Sequence, residues 1–163
     1  MAHDTQKAAV HNKLLLLKTR DLDAWDVGTL IEWSQDANDE VRDWATFALA
    51  VGSNGSGAVR TALLARVNDP DFDTRSEALV GLARRRDEAG LEPLKSALQG
   101  EAVSTLMVEA AGYYANRELI GPLEALTPWW DVDQELLREA LKRCRGERDT
   151  SEGRWDYVGD TDR

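Results

Sequence analysis

Several kinds of residue are scarce in this chain, and each scarcity excludes a class of protein. A single cysteine, Cys144, among 163 residues excludes an internal disulfide and is typical of a reducing compartment. No apolar run approaches the 18 or more residues that a membrane-spanning helix needs. The N-terminus lacks a basic stretch followed by an apolar region and a small-residue cleavage site. We therefore expect a cytoplasmic protein that does not interact with membranes.

Residues that carry catalysis or bind metals are also scarce. His3 and His11 are the only histidines, and no cysteine or carboxylate set accompanies them at zinc-ligand spacing. The acidic segments at 69–73 and 131–133 lack the ligand spacing and the glycine of an EF-hand. The sequence contains no phosphate-binding glycine loop and no nucleophile motif. We expect no metal, no cofactor and no enzymatic activity.

Basic residues are outnumbered by acidic ones, 20 to 30, which gives a formal net charge of −10. Nucleic-acid binding draws its affinity from clustered lysine and arginine, and the clusters here are short. One of them, at 84–86, ends a predicted helix, where cations offset the exposed carbonyls. We therefore expect no nucleic-acid partner.

A pattern that returns about every 32 residues fills most of the chain. Its marker is a bulky or acidic residue followed by alanine, and it occurs at 44–45, 77–78, 109–110 and 139–140. Periods of 20–50 residues are typical of arrays of supersecondary units. The spacing therefore predicts four successive units.

Each unit reads as two helices joined by a tight acidic turn, most clearly over residues 60–86. The first helix carries Leu63 and ends before Pro70, which disfavours helix at the preceding residue. The second helix runs from about Asp73, and small residues lie on one face of it at helical spacing. Gly81 inside this helix costs roughly 1 kcal/mol against alanine, so we expect close helix packing there.

The two best-defined units resemble a HEAT repeat. The motif Asp-x-x-x-x-Val/Thr-Arg-x-x-Ala-x-x-Ala/Gly-Leu occurs at 36–49 and again at 69–82, and it looks like the second half of that repeat. The period and the proline near the start of two later first helices fit the short bacterial form, which is named after phycobilisome lyases. The resemblance covers roughly residues 22–145.

The resemblance implies an all-α fold, a right-handed α-solenoid of about four HEAT-like helical pairs with an N-terminal capping helix. It is strict in the first two units and looser in the last two, where Met107 and Leu137 replace the arginine of the motif. We divide the chain into a capping helix at 1–21, the repeat array at 22–145 and a flexible acidic tail at 146–163.

The motif arginines, Arg42 and Arg75, have two interpretations. An arginine six residues after an aspartate can bind an anion. In HEAT-like arrays the resemblance implies instead that it bonds a turn aspartate and neighbouring carbonyls. We favour the structural role, because a bidentate arginine–carboxylate pair is a sound structural use of both residues and ion-pair networks commonly serve structure as well as function.

The resemblance also implies that the second helices line the inner, concave wall. One outward row of their residues comprises Phe47, Val80, Gly112 and Lys142. Phe47 and Val80 are apolar where such repeats usually place a polar residue, which suggests a contact patch. The alternative is that the N-terminal helix or the tail folds over them. Our candidate contact residues for a partner are Asp43, Phe47, Ser76, Val80 and Trp129.

Tryptophan is the abundant exception, with six residues. Trp44 is placed to fill the gap between the capping helix and the first unit. Trp129 and Trp130 follow a proline, and we expect at least one of them to be exposed, as tryptophans at binding hot spots often are. Trp155 and Tyr157 in the predicted tail either dock onto the body or a partner, or are incidental.

We expect a non-catalytic scaffold module that binds a protein or peptide on its concave face. An accessory or catalytic role is one alternative, since the resemblance extends to bilin lyases and to HEAT-like DNA glycosylases. Self-association is another, because an incompletely capped solenoid can stack end to end.

Overall fold

The computed structural model describes residues 2–19, 25–147, 155, 157 and 158. Over these residues it contains nine α-helices and no strand, with a 3-10 turn before α6 and another before α8. The helices are α1 (Ala2–Thr19), α2 (Val27–Trp33), α3 (Asp39–Val51), α4 (Gly57–Arg66), α5 (Phe72–Arg84), α6 (Leu91–Leu98), α7 (Thr105–Tyr114), α8 (Ile120–Leu126) and α9 (Gln134–Arg145). The predicted all-α fold of four helical pairs behind an N-terminal helix is confirmed.

The turn within each pair ends in a residue that caps the second helix. In every second helix, a short polar side chain accepts a hydrogen bond from the backbone N–H three residues further on. A cap of this kind stabilises a helix by about 1 kcal/mol, because it satisfies an amide that has no partner within the helix. The capping residues are Asn38, Asp71, Ser104 and Asp133.

The chain divides into two compact units, residues 1–78 and 79–163, and the boundary falls within α5. In the first unit, α1 and α2 both pack against α3. Leu17 is the buried residue of the leucine run, whereas Leu15 and Leu16 are exposed. Lys13 and Lys18 of α1 form ion pairs with Asp36 and Glu40. These contacts attach the predicted capping helix to the first helical pair.

A buried ion pair joins successive repeats within the first unit. The Arg42 guanidinium donates to both carboxylate oxygens of Asp69 at 2.9–3.1 Å, and its Nη1 donates to the Asp36 carbonyl at 2.9 Å. Burial raises the pKa of the Asp69 carboxyl, but the hydrogen bonds from Arg42 and the Asp71 amide outweigh it and hold the pKa below its ordinary value. The structural role predicted for Arg42 is confirmed.

The arginine–carboxylate pair between repeats does not recur at the second motif arginine, Arg75. Arg75 donates from Nη1 to the carbonyls of Asp69 and Pro70, at 2.5 and 3.0 Å. The residue 32 positions after Asp69 is Glu101, which is exposed, and Arg75 bonds these carbonyls rather than that carboxylate. The last two repeats instead bury Met107 and Leu137 at the position of the motif arginine.

The second unit has a largely apolar core, with α7 packed closely against α9. Trp130 is buried and donates its indole N–H to the Val103 carbonyl at 3.2 Å, whereas Trp129 is 51% exposed. The expectation that at least one of this pair is exposed is confirmed. Cys144 is buried beside the Ala111 carbonyl, and burial raises the pKa of its thiol to about 11. The thiol is therefore protonated at neutral pH and fills space in the core.

Parts of the predicted domain division lie outside the described residues. These parts are the junction at 20–24 and most of the tail beyond residue 147, together with the side chain of His3. Among the described residues, no helix is both long enough and apolar enough to cross a membrane.

Candidate functional site

The structure places the five predicted contact residues in different environments. Asp43 and Phe47 lie one turn apart on α3 and are half-buried. Trp129 belongs to the second unit and is exposed. Ser76 and Val80 lie on α5 and are only 1% and 4% exposed.

The expectation that Ser76 and Val80 face outward is wrong. All six residues from Ala78 to Ala83 are buried, so α5 has no solvent-facing stripe at this point. The Ser76 hydroxyl donates to the Phe72 carbonyl at 2.9 Å, a local bond within the helix. Neither side chain presents a surface that a partner can reach.

Asp43 and Phe47 line a groove together with two residues that the sequence analysis did not select, Trp44 and Glu77. Its volume is about 190 Å³, and we call it the acidic–aromatic groove. The Trp44 and Phe47 rings meet edge to face, with centroids 5.7 Å apart and planes at 85°. This arrangement is favourable for aromatic pairs and holds both rings in place. The groove thus combines two carboxylates with two fixed aromatic rings.

The Asp43 carboxylate is the least satisfied group in the groove. Its Oδ1 is buried and accepts no hydrogen bond. Burial raises the pKa of the Asp43 carboxyl to about 6, and the negative charges of Asp73, Asp71 and Glu40 add to the effect. At neutral pH the group is largely ionised in a site that disfavours its charge. A cation that enters the groove would relieve this penalty.

A lysine of the same chain already contacts the edge of the groove. The Lys18 ammonium lies 5.5 Å from the centroid of the Trp44 ring and forms an ion pair with Glu40 at 2.6 Å. This is the geometry of a cation–π contact reinforced by a carboxylate. Trp44 therefore contacts α1, as the sequence analysis predicted, and its ring also accepts a cation.

Other concave regions carry less specific chemistry. An open cleft of about 450 Å³ lies between α1 and the α2–α3 turn, and His11 is among its lining residues. Within the described part of the chain, no group of three or more His, Cys, Asp or Glu residues is arranged to hold a metal ion.

Comparison with known proteins agrees with this architecture. The family model of HEAT repeats matches residues 27–112, which is more than half of the chain. The chain belongs to the HEAT-repeat family. Its fold is accordingly that of a HEAT α-solenoid, with α2, α4, α6 and α8 as first helices and α3, α5, α7 and α9 as second helices.

Relatives of this HEAT protein are found in Escherichia coli. Protein YibA of strain K12 is 28% identical over 116 residues, which cover 71% of this chain and 41% of the relative, and YibA of strain O157:H7 gives the same values. The X-ray structure of E. coli YibA has a TM-score of 0.64 and 28% identity, over 73% of this chain and 43% of that one. The chain therefore spans about two fifths of the length of these relatives.

The HEAT register explains which groove residues the sequence analysis missed. Trp44 and Glu77 occupy the same position in successive repeats, directly before the marker alanine. The sequence predicts that Trp44 fills the gap beside the capping helix, whereas Glu77 is used there only as part of the repeat marker. A comparison of the repeats at that position would have paired a tryptophan with a carboxylate, and this pair lines the groove together with Asp43 and Phe47.

Proposed function

We propose that this HEAT protein is a non-catalytic scaffold that binds a basic peptide segment of a partner protein in the acidic–aromatic groove. The observation that carries the proposal is the buried Asp43 oxygen, which has no hydrogen-bond donor, beside two fixed aromatic rings. A lysine or arginine side chain supplies what this site lacks. HEAT repeats generally mediate protein interactions, and this supports a protein or peptide as the ligand.

The chemistry of the groove favours a cationic ligand with an apolar neighbour. Hydrogen bonds to a charged group contribute about 1.5–3 kcal/mol, and a cation–π contact contributes about 0.5–2 kcal/mol depending on its desolvation. Phe47 and Trp44 offer apolar surface on which the stem of a lysine or an adjacent aliphatic side chain can pack. A peptide that alternates basic and aliphatic residues fits all three demands.

The charge of the whole chain favours the same ligand. A net charge of −10 attracts basic segments and repels nucleic acid, so the proposal includes no nucleic-acid partner. We place the protein in the cytoplasm because its single cysteine is suited to a reducing compartment.

Binding of two matched peptides tests the proposal. A labelled peptide with two Lys-Leu pairs in a Gly-Ser background is compared, by fluorescence anisotropy, with a peptide of equal length that carries two Glu-Leu pairs. We expect the lysine peptide to bind about tenfold more tightly, which corresponds to about 1.4 kcal/mol. Asp43→Asn and Phe47→Ala should each weaken its binding about fivefold or more.

Leu64→Ala is the matched control for the loss of apolar surface. Leu64 is a half-buried residue of α4 in the same unit, and it does not line the groove. Its truncation should leave the affinity for the lysine peptide unchanged. Equal affinity for the two peptides, or an equal loss in Leu64→Ala and Phe47→Ala, would overturn the assignment of the groove.

A further inference from the structure

Three residues of the C-terminal segment dock onto the second unit. Trp155 is only 9% exposed, and its ring meets that of Tyr113 edge to face at 5.2 Å. Tyr157 contacts the same tyrosine, with ring centroids 5.5 Å apart. The backbone N–H of Val158 donates to the Arg84 carbonyl at the end of α5, at 3.0 Å. These aromatic residues therefore dock onto the body of the protein, which was one of the options left open by the sequence.

Gly112 of α7 makes room for the Trp155 ring. A Cβ atom built at Gly112 would lie 2.0–2.9 Å from three atoms of that ring, which is far inside van der Waals contact. A glycine in the middle of a helix is unfavourable, so its presence here needs a reason. The reason is the close approach of the indole to the α7 backbone. Gly112 also belongs to the predicted outward row that contains Phe47 and Val80.

Two arginines also contact the aromatic residues of the C-terminal segment. Arg143 of α9 donates from Nε to the Gly112 carbonyl at 2.8 Å and from Nη2 to the Tyr157 hydroxyl at 3.0 Å. Its guanidinium also lies 4.9 Å from the centroid of the Trp155 ring. The Arg86 guanidinium stacks on Tyr157 at 3.8 Å. One arginine therefore positions both rings, and the other covers the second ring.

The Tyr157 hydroxyl is fully engaged in this arrangement. It accepts the bond from Arg143 and donates to the Tyr113 carbonyl at 2.8 Å. A phenylalanine could not make these two bonds, so the site distinguishes tyrosine from phenylalanine. The site thus has three parts. Gly112 leaves space for an indole, Arg86 covers a phenol, and the Arg84 carbonyl accepts a hydrogen bond from the backbone of the next residue.

From this geometry we infer that the surface formed by α7, α9 and the end of α5 is a recognition site for peptides of the form Trp-x-Tyr-aliphatic. In this chain the site is filled in cis by Trp155, Tyr157 and Val158, which act as an intramolecular competitor of a partner peptide. We call this surface the tail site. It is separate from the acidic–aromatic groove, and it does not rest on the function proposed for that groove.

Spare volume beside the docked residues supports a longer peptide ligand. An open cleft of about 510 Å³ continues beside Tyr157, and its polar lining includes Arg86, Asn116 and the three carboxylates of Glu88, Glu92 and Glu118. The docked residues do not fill this cleft. A partner segment that extends beyond the aromatic pair would find further polar contacts there.

A peptide competition experiment on the full chain tests the inference. The probe is a labelled synthetic peptide of residues 150–163, and its binding is followed by fluorescence anisotropy. In the wild-type chain the cis segment has an effective concentration in the millimolar range, so the probe should bind weakly. The double variant Trp155→Ala with Tyr157→Ala vacates the site and should bind the probe about tenfold or more tightly than the wild type.

Gly112→Ala, introduced into that double variant, removes the indole slot without harming the fold. The three atoms closest to a Cβ at Gly112 all belong to Trp155, and alanine favours helix more than glycine does. Circular dichroism should therefore show unchanged helicity, while probe affinity falls about tenfold or more. Gly121→Ala is the matched control, because no atom lies within 4 Å of a Cβ built there, and it should leave probe affinity unchanged.

Three results would overturn the inference. The first is that the probe fails to bind the folded double variant, which would make the tail a structural brace only. The second is equal probe affinity for the wild type and the double variant. The third is a concentration-dependent dimer of the wild type that the double variant lacks, because the tail would then occupy the site of a second copy.

Discussion

Asp43 illustrates how a single residue can be unfavourable for the fold and useful for binding. Its buried Oδ1 accepts no hydrogen bond, and the charges that shift its pKa, those of Asp73, Asp71 and Glu40, are all negative. Asp69 is also a buried carboxylate in the same unit, but it receives hydrogen bonds from Arg42, Arg66 and the Asp71 amide. The two residues have opposite pKa shifts for this reason. Asp69 stabilises the repeat, whereas Asp43 is the residue that we propose binds a cation.

The pH dependence of stability tests this view of Asp43. Its folded pKa of about 6 exceeds the unfolded value of about 3.9, so the stability contributed by its protonated form is complete below pH 4 and is lost as the pH rises through 6. We expect Asp43→Asn to raise the free energy of unfolding by about 1 kcal/mol at pH 7.5, a value discounted for partial exposure, and to change it little at pH 4. Urea denaturation at the two pH values measures both differences.

The control for this prediction is Glu32→Gln, an exposed change on α2 of the same unit. It should shift stability by less than about 0.5 kcal/mol at either pH. If Asp43→Asn is instead less stable than the wild type at pH 7.5, the carboxylate has a favourable partner in solution and the groove is not short of a cation.

Residue types in a repeat pattern do not by themselves give exposure. Phe47 and Val80 are equivalent in the repeat, yet Phe47 lines a groove and Val80 is buried. The difference arises because α5 is buried over a run of six residues, which depends on what packs around the helix rather than on its own sequence. Asp43 and Phe47 were predictable as a pair because they are one turn apart on one helix.

The helices themselves were largely predictable, because their signals are local. Proline, acidic turns and capping residues end one helix and begin the next within a few residues, so the order and pairing of the helices followed from the period. The docking of Trp155 was not predictable in this way. It depends on a contact with Gly112, 43 positions earlier in the sequence, and no local pattern links the two.

The left-handed residue that ends α7 gives a prediction at the scale of the secondary-structure element. Ala115 ends α7 with φ of 48°, a conformation that glycine adopts without strain and alanine does not. We expect Ala115→Gly to raise the free energy of unfolding by about 0.5–1 kcal/mol, because the relief of strain exceeds the added freedom of the unfolded chain. Thermal or urea denaturation measures the change.

Ala125→Gly is the matched control for that substitution. Ala125 is exposed within α8, where the backbone is helical and glycine costs about 0.5–1 kcal/mol. The two alanine-to-glycine changes should therefore have opposite signs. A destabilising Ala115→Gly would show that the left-handed residue is held by contacts that its methyl group makes.

At the scale of the whole molecule, the two proposed sites belong to different compact units and differ in chemistry. The acidic–aromatic groove lies within residues 1–78 and offers carboxylates, whereas the tail site lies within residues 79–163 and holds an indole and a phenol beside two arginines. Together, the two proposals assign to one chain the binding of two chemically different peptide segments. This is the property expected of a scaffold, and it does not require a catalytic group.

The dependence of peptide affinity on salt concentration should distinguish the two sites. Raising NaCl from 0.1 to 1 M shortens the Debye length from about 10 to about 3 Å, which screens exposed charge pairs and leaves the burial of aromatic rings largely intact. The Lys-Leu peptide depends on carboxylates in an open groove, so we expect its affinity for the wild type to fall about tenfold. Binding of the peptide of residues 150–163 depends on a buried indole and a phenol covered by an arginine, so its affinity for the Trp155→Ala, Tyr157→Ala variant should fall only about twofold.

Asp43→Asn should weaken binding of the Lys-Leu peptide only, and Gly112→Ala should weaken binding of the peptide of residues 150–163 only. If either substitution weakens both peptides alike, the two ligands share one site, and the assignment of two separate sites is wrong.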